Sequence, residues 1–562
     1  MLNESVSRQH LYFYGEDPDG YVTGYLIAYV KDSTGTFTQI PNPDTLSYIW
    51  TTRNDTVVAL PLLQKKDKFA IIVRAVDNRF SSSEISSGAH IKGFPAPYWD
   101  RDSNGMKNGN DIALPAMQDG VDPKGAIQLF PLKNTPPNVR FAVTADDNAT
   151  TIEQPDTTYT VATFSWVGTD DDGNNTITGY RIALNDNTDS AQWTDLPPTA
   201  TTVTLIVKRA ESDIAGATVE AQVYTGLFVA GYDHMLATGK KISNLRLNAE
   251  NVLYLQAKDI ANEYSTRARM PSTAQKKWFV KKPKSGQKML VVADYGAVPN
   301  GWKANILSYY HKLFADQRIL NGALADFDYL DRANFPTFLN PALIKTLMLY
   351  DVVLWFTDKT PTLTAAQIGL GSYTNSGGKI IFVTQFQDQS NTTYLYSDLV
   401  KYRDFLPLDK DKVITDDSIY ISNRFYWKDP GTGTNVKLIP MQPGYPVLYA
   451  DSMSTSGFAI GPTATHPGVA FRKIFKDNDS RYLYKIDSSH TYILSPQGQK
   501  ISAPDYVGEL ELACIDNAQR IVAFALPLHL LNGWGQNWDN KWDHNLPLFF
   551  KQVIEQEFKI GQ

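Results

Sequence analysis

The chain has 562 residues, a formal net charge of -6 and 43% hydrophobic residues. This length predicts roughly three or four domains, and the hydrophobic content suffices for ordinary cores. The acidic balance argues against a nucleic-acid partner. The single cysteine excludes a disulfide within the chain and a cysteine metal cluster, and no run reaches the roughly 18 apolar residues of a membrane span.

Residues 1 to 94 carry a strand–turn–strand motif that returns far downstream. The aligned pairs are Gly15 and Gly168, Asp17 and Asp170, Asp19 and Asp172, Gly20 and Gly173, and Tyr25 and Tyr180. Residues before each turn alternate in polarity, as in strands with one buried face. Each copy later reaches a strand that ends in an acidic turn, at Asp77 and at Asp259. The repeat predicts two related β-sandwich domains.

The start of the chain leaves little room for an opening strand before Gly15. Residues 1 to 5 also lack the basic and apolar regions of a signal peptide. Two interpretations follow. The chain is a processed or truncated form of a longer precursor, or an open sheet edge accepts a strand from a neighbouring subunit and gives chain-to-chain assembly.

Residues 95 to 135 are rich in Pro, Gly and Asn and are predicted to form a linker. Within it, oxygen-bearing residues recur at the spacing of a calcium-binding EF-hand loop, with Gly105 at the sixth position. The predicted ligands are Asp100, Asp102, Asn104, the carbonyl of Met106, Asn108 and Asp111. A bound Ca²⁺ would stiffen the joint between the sandwich domains. The alternative interpretation is a solvated cluster of turn residues.

The second sandwich is predicted over residues 136 to 283, with an insertion from about Glu211 to Arg246. Residues 202 to 207 and 219 to 229 have the pattern of strands.

From Lys288 onward the pattern changes to that of an α/β domain, predicted over residues 284 to 562. Short apolar runs at residues 289 to 294, 351 to 356 and 379 to 384 are typical of strands buried on both faces. Apolar residues at helical spacing from Trp302 to Phe314 and over residues 363 to 375 predict intervening helices. Strands that alternate with helices indicate a parallel sheet. Residues 410 to 510 are less regular and predict an antiparallel elaboration. A strand over residues 520 to 526 and a helix over 547 to 558 close the domain.

These patterns resemble two known families. The paired Gly-x-Asp-x-Asp-Gly and Gly-Tyr units resemble the fibronectin type III or immunoglobulin-like modules of Bacteroidetes-type surface proteins. The α/β region resembles the class I glutamine amidotransferase-like fold, including its trehalose-utilisation-like relatives, which is a three-layer, flavodoxin-like arrangement. The features that carry the second resemblance are the strand ending at Asp294, the strand after Tyr350, and Gly377-Gly378 leading into the next strand. Together the resemblances imply a location outside the cytoplasm.

The amidotransferase resemblance implies a cysteine nucleophile on a tight turn after a central strand. Here that strand runs into Gln385 without a cysteine, and Cys514 lies in an apolar strand and is expected to be a buried residue. The sequence therefore predicts a catalytically inactive scaffold. The runner-up is a site at the carboxyl edge of the sheet made by Asp294, Asp358 and Gln385, where carboxylates could serve acid–base chemistry or hold a cation. The histidines show no metal-ligand spacing and are expected to be surface or core residues.

Trp534, Trp538 and Trp542 recur at every fourth residue in a polar stretch. Exposed aromatic rings beside Asn and Asp can stack on sugars, so these residues are candidates for ligand binding. The alternative is a loop whose rings cover the C-terminal helix.

The sequence as a whole predicts an exported bacterial cell-surface or extracellular-matrix protein for adhesion, assembly or ligand binding. Its partners would be a glycan, another surface protein or further copies of itself, and its one expected cofactor is a structural Ca²⁺. The first alternative is a carbohydrate-active hydrolase that uses the carboxylates at the sheet edge. The second alternative is a filament subunit that assembles by strand donation.

Overall fold

A computed structural model of the protein describes most of the chain. The described residues are 8–32, 42–60, 66–79, 85, 87–94, 96–103, 107–114, 120–143, 153–226, 228–229, 232–233, 235–284, 286, 288–295, 302–357, 361–384, 401–409, 424–426, 437–449, 468–470, 473–487, 492–494, 500–502, 509–531 and 545–561.

The first domain is an antiparallel seven-stranded sheet covered on one face by a two-stranded ribbon. Its strands are β1 Arg8–Tyr12, β2 Val22–Lys31, β3 Tyr48–Thr51, β4 Asp55–Ala59, β5 Lys66–Asp77, β6 His90–Lys92, β7 Tyr98–Trp99, β8 Ile112–Ala113 and β9 Ala126–Lys133. The sheet order is β8-β7-β6-β3-β2-β5-β9, and the ribbon is β1-β4. Because alternate residues of a strand point to opposite faces, β2 and β5 contribute to two separate cores.

One core of the first domain lies between the sheet and the ribbon, where Phe69 and Phe130 pack with Leu11 and Phe13. The other lies on the opposite face around Trp50. There the fully buried Arg74 pairs with Asp44 at 2.8 Å. Its guanidinium also lies over the rings of Tyr48 and Phe94, at 5.4 and 5.3 Å from their centroids. This satisfies a charge that would otherwise be costly to bury.

The region from residue 95 to 135, predicted to be a linker, is instead part of this first domain. Strand β9 pairs with β5 along eight residues, from Ala126 with Val73 to Lys133 with Lys66. The short strands β7 and β8 extend the opposite end of the sheet. The prediction failed because Pro, Gly and Asn mark turns, and a succession of turns between short edge strands has the composition of a linker.

The second domain is a β-sandwich, as predicted. Its strands are β10 Asn138–Phe141, β11 Thr157–Thr158, β12 Val161–Thr169, β13 Ile177–Leu184, β14 Thr194–Leu196, β15 Thr202–Ile206, β16 Thr218–Thr225, β17 Phe228–Val229, β18 Tyr232–Asp233, β19 Leu236–Arg246, β20 Ala249–Glu250, β21 Leu253–Asp259, β22 Ala268–Met270 and β23 Phe279–Val280. A five-stranded sheet, β10-β12-β15-β16-β19, faces a four-stranded sheet, β14-β13-β21-β22. A single core between them contains Trp166, Tyr180 and Trp278. The predicted insertion holds most of the short helix α1 Arg209–Ile214 and both strands of the hairpin β16–β19.

The sequence repeat corresponds to repeated structure. Strand β2 pairs with β5 around Gly24, and β13 pairs with β21 around Gly179, each with a register shift at the glycine. In both copies the preceding threonine hydroxyl donates to two carbonyls of the opposite strand: Thr23 to those of residues 76 and 77, and Thr178 to those of residues 258 and 259.

The remaining described residues form an α/β domain around a nine-stranded sheet. Its sheet strands are β24 Met289–Asp294, β25 Asp328–Asp331, β26 Val352–Thr357, β27 Lys379–Val383, β29 Lys437–Pro440, β30 Leu448–Tyr449, β32 Ser480–Ile486, β35 Glu511–Asp516 and β36 Ile521–Phe524. Two separate ribbons pair β28 Arg424–Tyr426 with β31 Gly468–Ala470, and β33 Tyr492–Leu494 with β34 Lys500–Ser502. The helices are α2 Trp302–Phe314, α3 Ala342–Leu347, α4 Leu363–Asn375 and α5 Leu546–Lys551, which continues as a π-helix over Gln552–Glu557.

The order in the large sheet is β25-β24-β26-β27-β36-β35-β32-β29-β30. The first five strands run parallel, and β35, β32, β29 and β30 continue the sheet in antiparallel pairs. Parallel strands buried on both faces agree with the apolar runs in the sequence. The carboxyl ends of β24, β26 and β27 meet at one edge, where ligands bind in open α/β sheets.

The second domain and the α/β domain share a buried interface. The Tyr159 hydroxyl donates to the Tyr329 carbonyl and accepts from the Tyr329 N–H, both at 2.9 Å. Arg209 donates to the carbonyls of Leu349 and Lys284. Among the described residues, no helix has both the length and the apolar character needed to cross a membrane.

Candidate functional site

The predicted calcium-binding loop connects the short strands β7 and β8 at the end of the first sheet. Asp100, Asp102 and Asp111 each offer a carboxylate oxygen, and these oxygens all lie within 4.8 Å of one another. Ca²⁺ binds oxygen at 2.3–2.6 Å. Two oxygens on opposite sides of the ion are therefore separated by about twice that distance, which is close to the 4.8 Å limit observed here. The structure thus brings together the three predicted carboxylates.

Hydrogen bonds within the loop hold these carboxylates in place. Asp111 accepts from the backbone N–H groups of Arg101 at 3.1 Å and Asn108 at 2.8 Å. The Asn108 side chain donates to Asp102 at 2.8 Å, and its oxygen accepts from the backbone N–H of residue 110. The Asn108 side-chain oxygen, a predicted ligand, thus already accepts one hydrogen bond within the loop.

Asp100 is the buried member of the cluster, and the ammonium of Lys92 lies 3.0 Å from one of its oxygens. This cation partly neutralises the cluster and would compete with a metal ion for Asp100. The donor set fits a hard oxygen-preferring cation, with three carboxylates at suitable spacing. The remaining predicted ligands, Asn104 and Met106, lie outside the described residues.

At the carboxyl edge of the sheet, Asp294 is fully buried and its two oxygens are occupied. One accepts from the Thr362 hydroxyl at 2.8 Å. The other accepts from the Thr362 N–H at 2.7 Å and from the Trp355 indole at 3.2 Å. Arg332 lies 3.7 Å away. Thr362 directly precedes α4, so Asp294 anchors the start of that helix.

Burial raises the pKa of Asp294 to about 6, while Thr362, Arg332 and Trp355 act in the opposite direction. The other members of the predicted trio, Asp358 and Gln385, lie outside the described residues. The hydrogen bonds of Asp294 therefore give it a structural role, and it is the one member of the predicted trio among the described residues.

Sequence reasoning missed an aromatic cluster at the same edge. His529, a few residues after β36, is buried near the rings of Tyr295, Tyr309 and Tyr310, with centroid distances of 6.5, 6.4 and 6.3 Å. Burial lowers the pKa of His529 to about 3, so the ring is neutral at physiological pH. His529 is thus a core residue, one of the two alternatives that the sequence left open for the histidines.

Cys514 is fully buried in β35, and its thiol lies 3.6 Å from the carbonyl of Pro407. Burial raises the pKa of the thiol. Cys514 is therefore a buried residue of an apolar strand, as the sequence predicted. The candidate ligand-binding residues Trp534, Trp538 and Trp542 lie outside the described residues.

The acidic tip of the second domain is a buried cluster of carboxylates. Asp170, Asp172 and Asp259 are all buried. The Asn134 amide donates to Asp259 at 2.6 Å, and the Thr135 N–H donates to Asp172 at 2.7 Å. Burial, with smaller contributions from neighbouring carboxylates, raises the pKa of both Asp170 and Asp259. The signal available in the sequence was the recurrence of Asp77 and Asp259 after each repeat.

Comparisons with known proteins give limited information. No family model matches the chain, and a search of curated proteins finds no match. Solved structures that resemble part of it are fibronectin type III-like modules. Those of Clostridium thermocellum CbhA are 11% identical, with 50% of this chain and 87% of that chain covered and a TM-score of 0.15. The FN1-FN3 domains of chicken CNTN1 are 10% identical, with 47% and 93% covered and a TM-score of 0.14. At such low TM-scores neither likeness carries a conclusion about this chain.

Proposed function

We propose that this chain is an exported bacterial cell-surface or extracellular-matrix protein whose role is adhesion, assembly or ligand display. The observation that supports this role is the junction of two sandwich domains with equivalent tips, in which Asn134 and Thr135 at the end of the first domain donate to the acidic tip of the second. Tandem sandwich domains act as spacers and binding modules, and their function resides in surfaces and loops.

The α/β domain serves in this proposal as a non-catalytic scaffold. The engaged oxygens of Asp294 and the buried thiol of Cys514 support it, since neither group is available to a substrate. A glycan array combined with a hydrolysis screen tests the role: binding without turnover is expected. Turnover that is abolished by Asp294→Asn, with the fold retained, would favour the hydrolase alternative.

Calcium is the cofactor in this proposal, bound by Asp100, Asp102 and Asp111. It would join the hairpin β7–β8 through its loop and so stiffen the edge of the first sheet. Ca²⁺ at about 100 times its Kd stabilises the folded state by about 2.7 kcal/mol. For a domain of this size that corresponds to several degrees in the melting temperature.

Calorimetry with Ca²⁺ or with a chelator measures this effect on the first domain. Asp102→Asn is expected to remove the calcium-dependent rise. Asp122→Asn is the matched control, because Asp122 lies in the same domain outside the cluster, where it accepts from two backbone N–H groups of a turn. A melting temperature of the unmodified chain that is indifferent to Ca²⁺ would refute the calcium site.

A further inference from the structure

The two sandwich domains have equivalent tips, and hydrogen bonds fix the equivalence. The Phe13 N–H donates to the Asn54 carbonyl at 3.0 Å, as the Trp166 N–H donates to the Thr201 carbonyl at 2.9 Å. These bonds place β1, with the residues that follow it, in the position of β12, and β4 in the position of β15.

The acidic turns match in the same way. Asp17 accepts from the N–H of Asp19 at 3.3 Å, and Asp170 accepts from the N–H of Asp172 at 2.8 Å. Asp77 also occupies the position of Asp259. Asp77 is the last paired residue of β5 and lies opposite residue 22, and Asp259 is the last paired residue of β21 and lies opposite residue 177.

In the second domain one continuous segment, residues 134–141, covers both the acidic tip and the sheet edge. Its first residues, Asn134 and Thr135, donate to Asp259 and Asp172. Its last residues form β10, which pairs with β12 so that Phe141 lies opposite Trp166. Prolines 136 and 137 connect the two contacts and restrict the segment to an extended form.

In the first domain no strand of the described residues covers the corresponding edge. Among the described residues β1 pairs only with β4, and the side chains of Tyr12 and Tyr14 are 76% and 80% exposed. In an antiparallel sheet the backbone N–H and C=O groups of successive residues point towards opposite neighbouring strands. Because the Phe13 N–H points towards β4, the backbone groups of Tyr12 and Tyr14 point towards the open edge. The Ser165 carbonyl, equivalent to that of Tyr12, accepts from residue 142 at 3.1 Å.

The acidic tip of the first domain is accessible at Asp19. Asp19 is exposed and is approached only by the exposed Arg79, at 3.2 Å, among the ion pairs of the described residues. Asp172, its counterpart, is buried beneath Thr135. Both domains therefore have an aspartate acceptor at this position. It is covered by Thr135 in the second domain and exposed in the first.

We propose that the open edge of residues 11–15 and the tip formed by Asp17, Asp19 and Asp77 constitute a docking site for an extended peptide segment of another polypeptide. The segment has the chemistry of residues 134–141: an amide side chain and a free N–H for the carboxylates, then a proline-restricted turn into a strand. This inference deepens the proposed assembly role and rests on it. In the expected register the segment places a phenylalanine opposite Phe13 and a valine opposite Gly15.

The physical basis is strand addition. An edge strand presents unpaired N–H and C=O groups that a second strand can satisfy. Proline in the segment lowers the conformational entropy lost on binding. The neutral amide and backbone N–H donate to carboxylates, which gives stronger hydrogen bonds than neutral acceptors. Tyr12 and Tyr14 supply apolar surface beside the added strand.

The test uses the full chain and a fluorescent peptide with the sequence of residues 132–142. Anisotropy titration is expected to show binding at least about tenfold tighter than that of a scrambled peptide. Hydrogen exchange is expected to slow in residues 11–15 and to remain unchanged in residues 164–168, which are already covered. Equal binding of the scrambled peptide, or protection confined to other regions, would overturn the inference.

Two variants locate the contact. Asp19→Ala is expected to weaken binding by about tenfold, because a hydrogen bond to a charged acceptor is lost. Arg79→Ala, which leaves the carboxylates in place and frees Asp19 from its ion pair, is expected to bind at least as tightly as the unmodified chain. Both side chains are exposed, so neither substitution threatens the fold. Unaltered binding by Asp19→Ala would contradict the proposed register.

Discussion

Asp294→Asn tests the electrostatics at the carboxyl edge of the α/β sheet. Asp294 is buried, and burial raises its pKa to about 6, whereas an aspartate in an unfolded chain has a pKa of about 4. Because the folded-state pKa is the higher one, the folded chain holds this proton more tightly than the unfolded chain. Its contribution to stability is therefore full below about pH 4 and is lost as the pH rises through about 6.

The size of the effect follows from the two pKa values. A difference of about two in pKa corresponds to about 3 kcal/mol in the free energy of unfolding. An asparagine keeps one oxygen for the Thr362 N–H and the Trp355 indole, and its amide can donate to the Thr362 hydroxyl. The variant therefore resembles the protonated aspartate. We expect the stability of Asp294→Asn relative to the unmodified chain to increase by about 3 kcal/mol between pH 4 and pH 8.

Urea unfolding of the full chain at a series of pH values, followed by hydrogen exchange in peptides from β24 and β26, measures this difference. Thr362→Val removes the hydroxyl that donates to the carboxylate and should enlarge the pH-dependent loss, while Thr362→Ser should leave it unchanged. A relative stability that is flat or that falls with pH would refute the reasoning. It would show that the donors around Asp294 stabilise the carboxylate more than burial destabilises it.

Three further predictions concern closely packed positions. Gly168→Ala is expected to destabilise the second domain by about 1–3 kcal/mol, because the added Cβ would lie 2.4 Å from the Tyr180 hydroxyl; Tyr180→Phe should restore part of this in chemical denaturation. Cys514 should resist iodoacetamide in the folded chain and react after unfolding, and rapid labelling under native conditions would contradict its burial. Because burial depresses the pKa of His529 to about 3, its contribution to stability is full above about pH 6.5 and is lost as the pH falls towards 3. His529→Phe should weaken this acid sensitivity in pH-dependent melting, and an unchanged profile would count against it.

Several elements could be predicted from the sequence because their signals are local. The apolar runs of β24 and β27 and the helical spacing of α4 are contained within a few consecutive residues, and the observed bounds differ from the predicted ones by at most one residue. The sandwich repeat was recognisable because glycine recurs at the same place in both copies. At Gly15 and Gly168 neighbouring atoms leave no room for a side chain, so the local packing requires glycine. The spacing of Asp100, Asp102 and Asp111 likewise predicted a cluster that the loop does form.

Other features depend on contacts between distant parts of the chain, which no local pattern records. The sequence by itself determined those strands, helices and turns that carry a clear periodicity or turn chemistry, since both signals act over short distances. Only the tertiary structure decided that β9 pairs with β5 and that Asp294 binds Thr362 at the start of α4. It also decided that one acidic tip is covered by Asn134 while its counterpart stays accessible. Burial and hydrogen-bond partners arise from such long-range pairing, and they determine which carboxylates are structural and which can meet a partner.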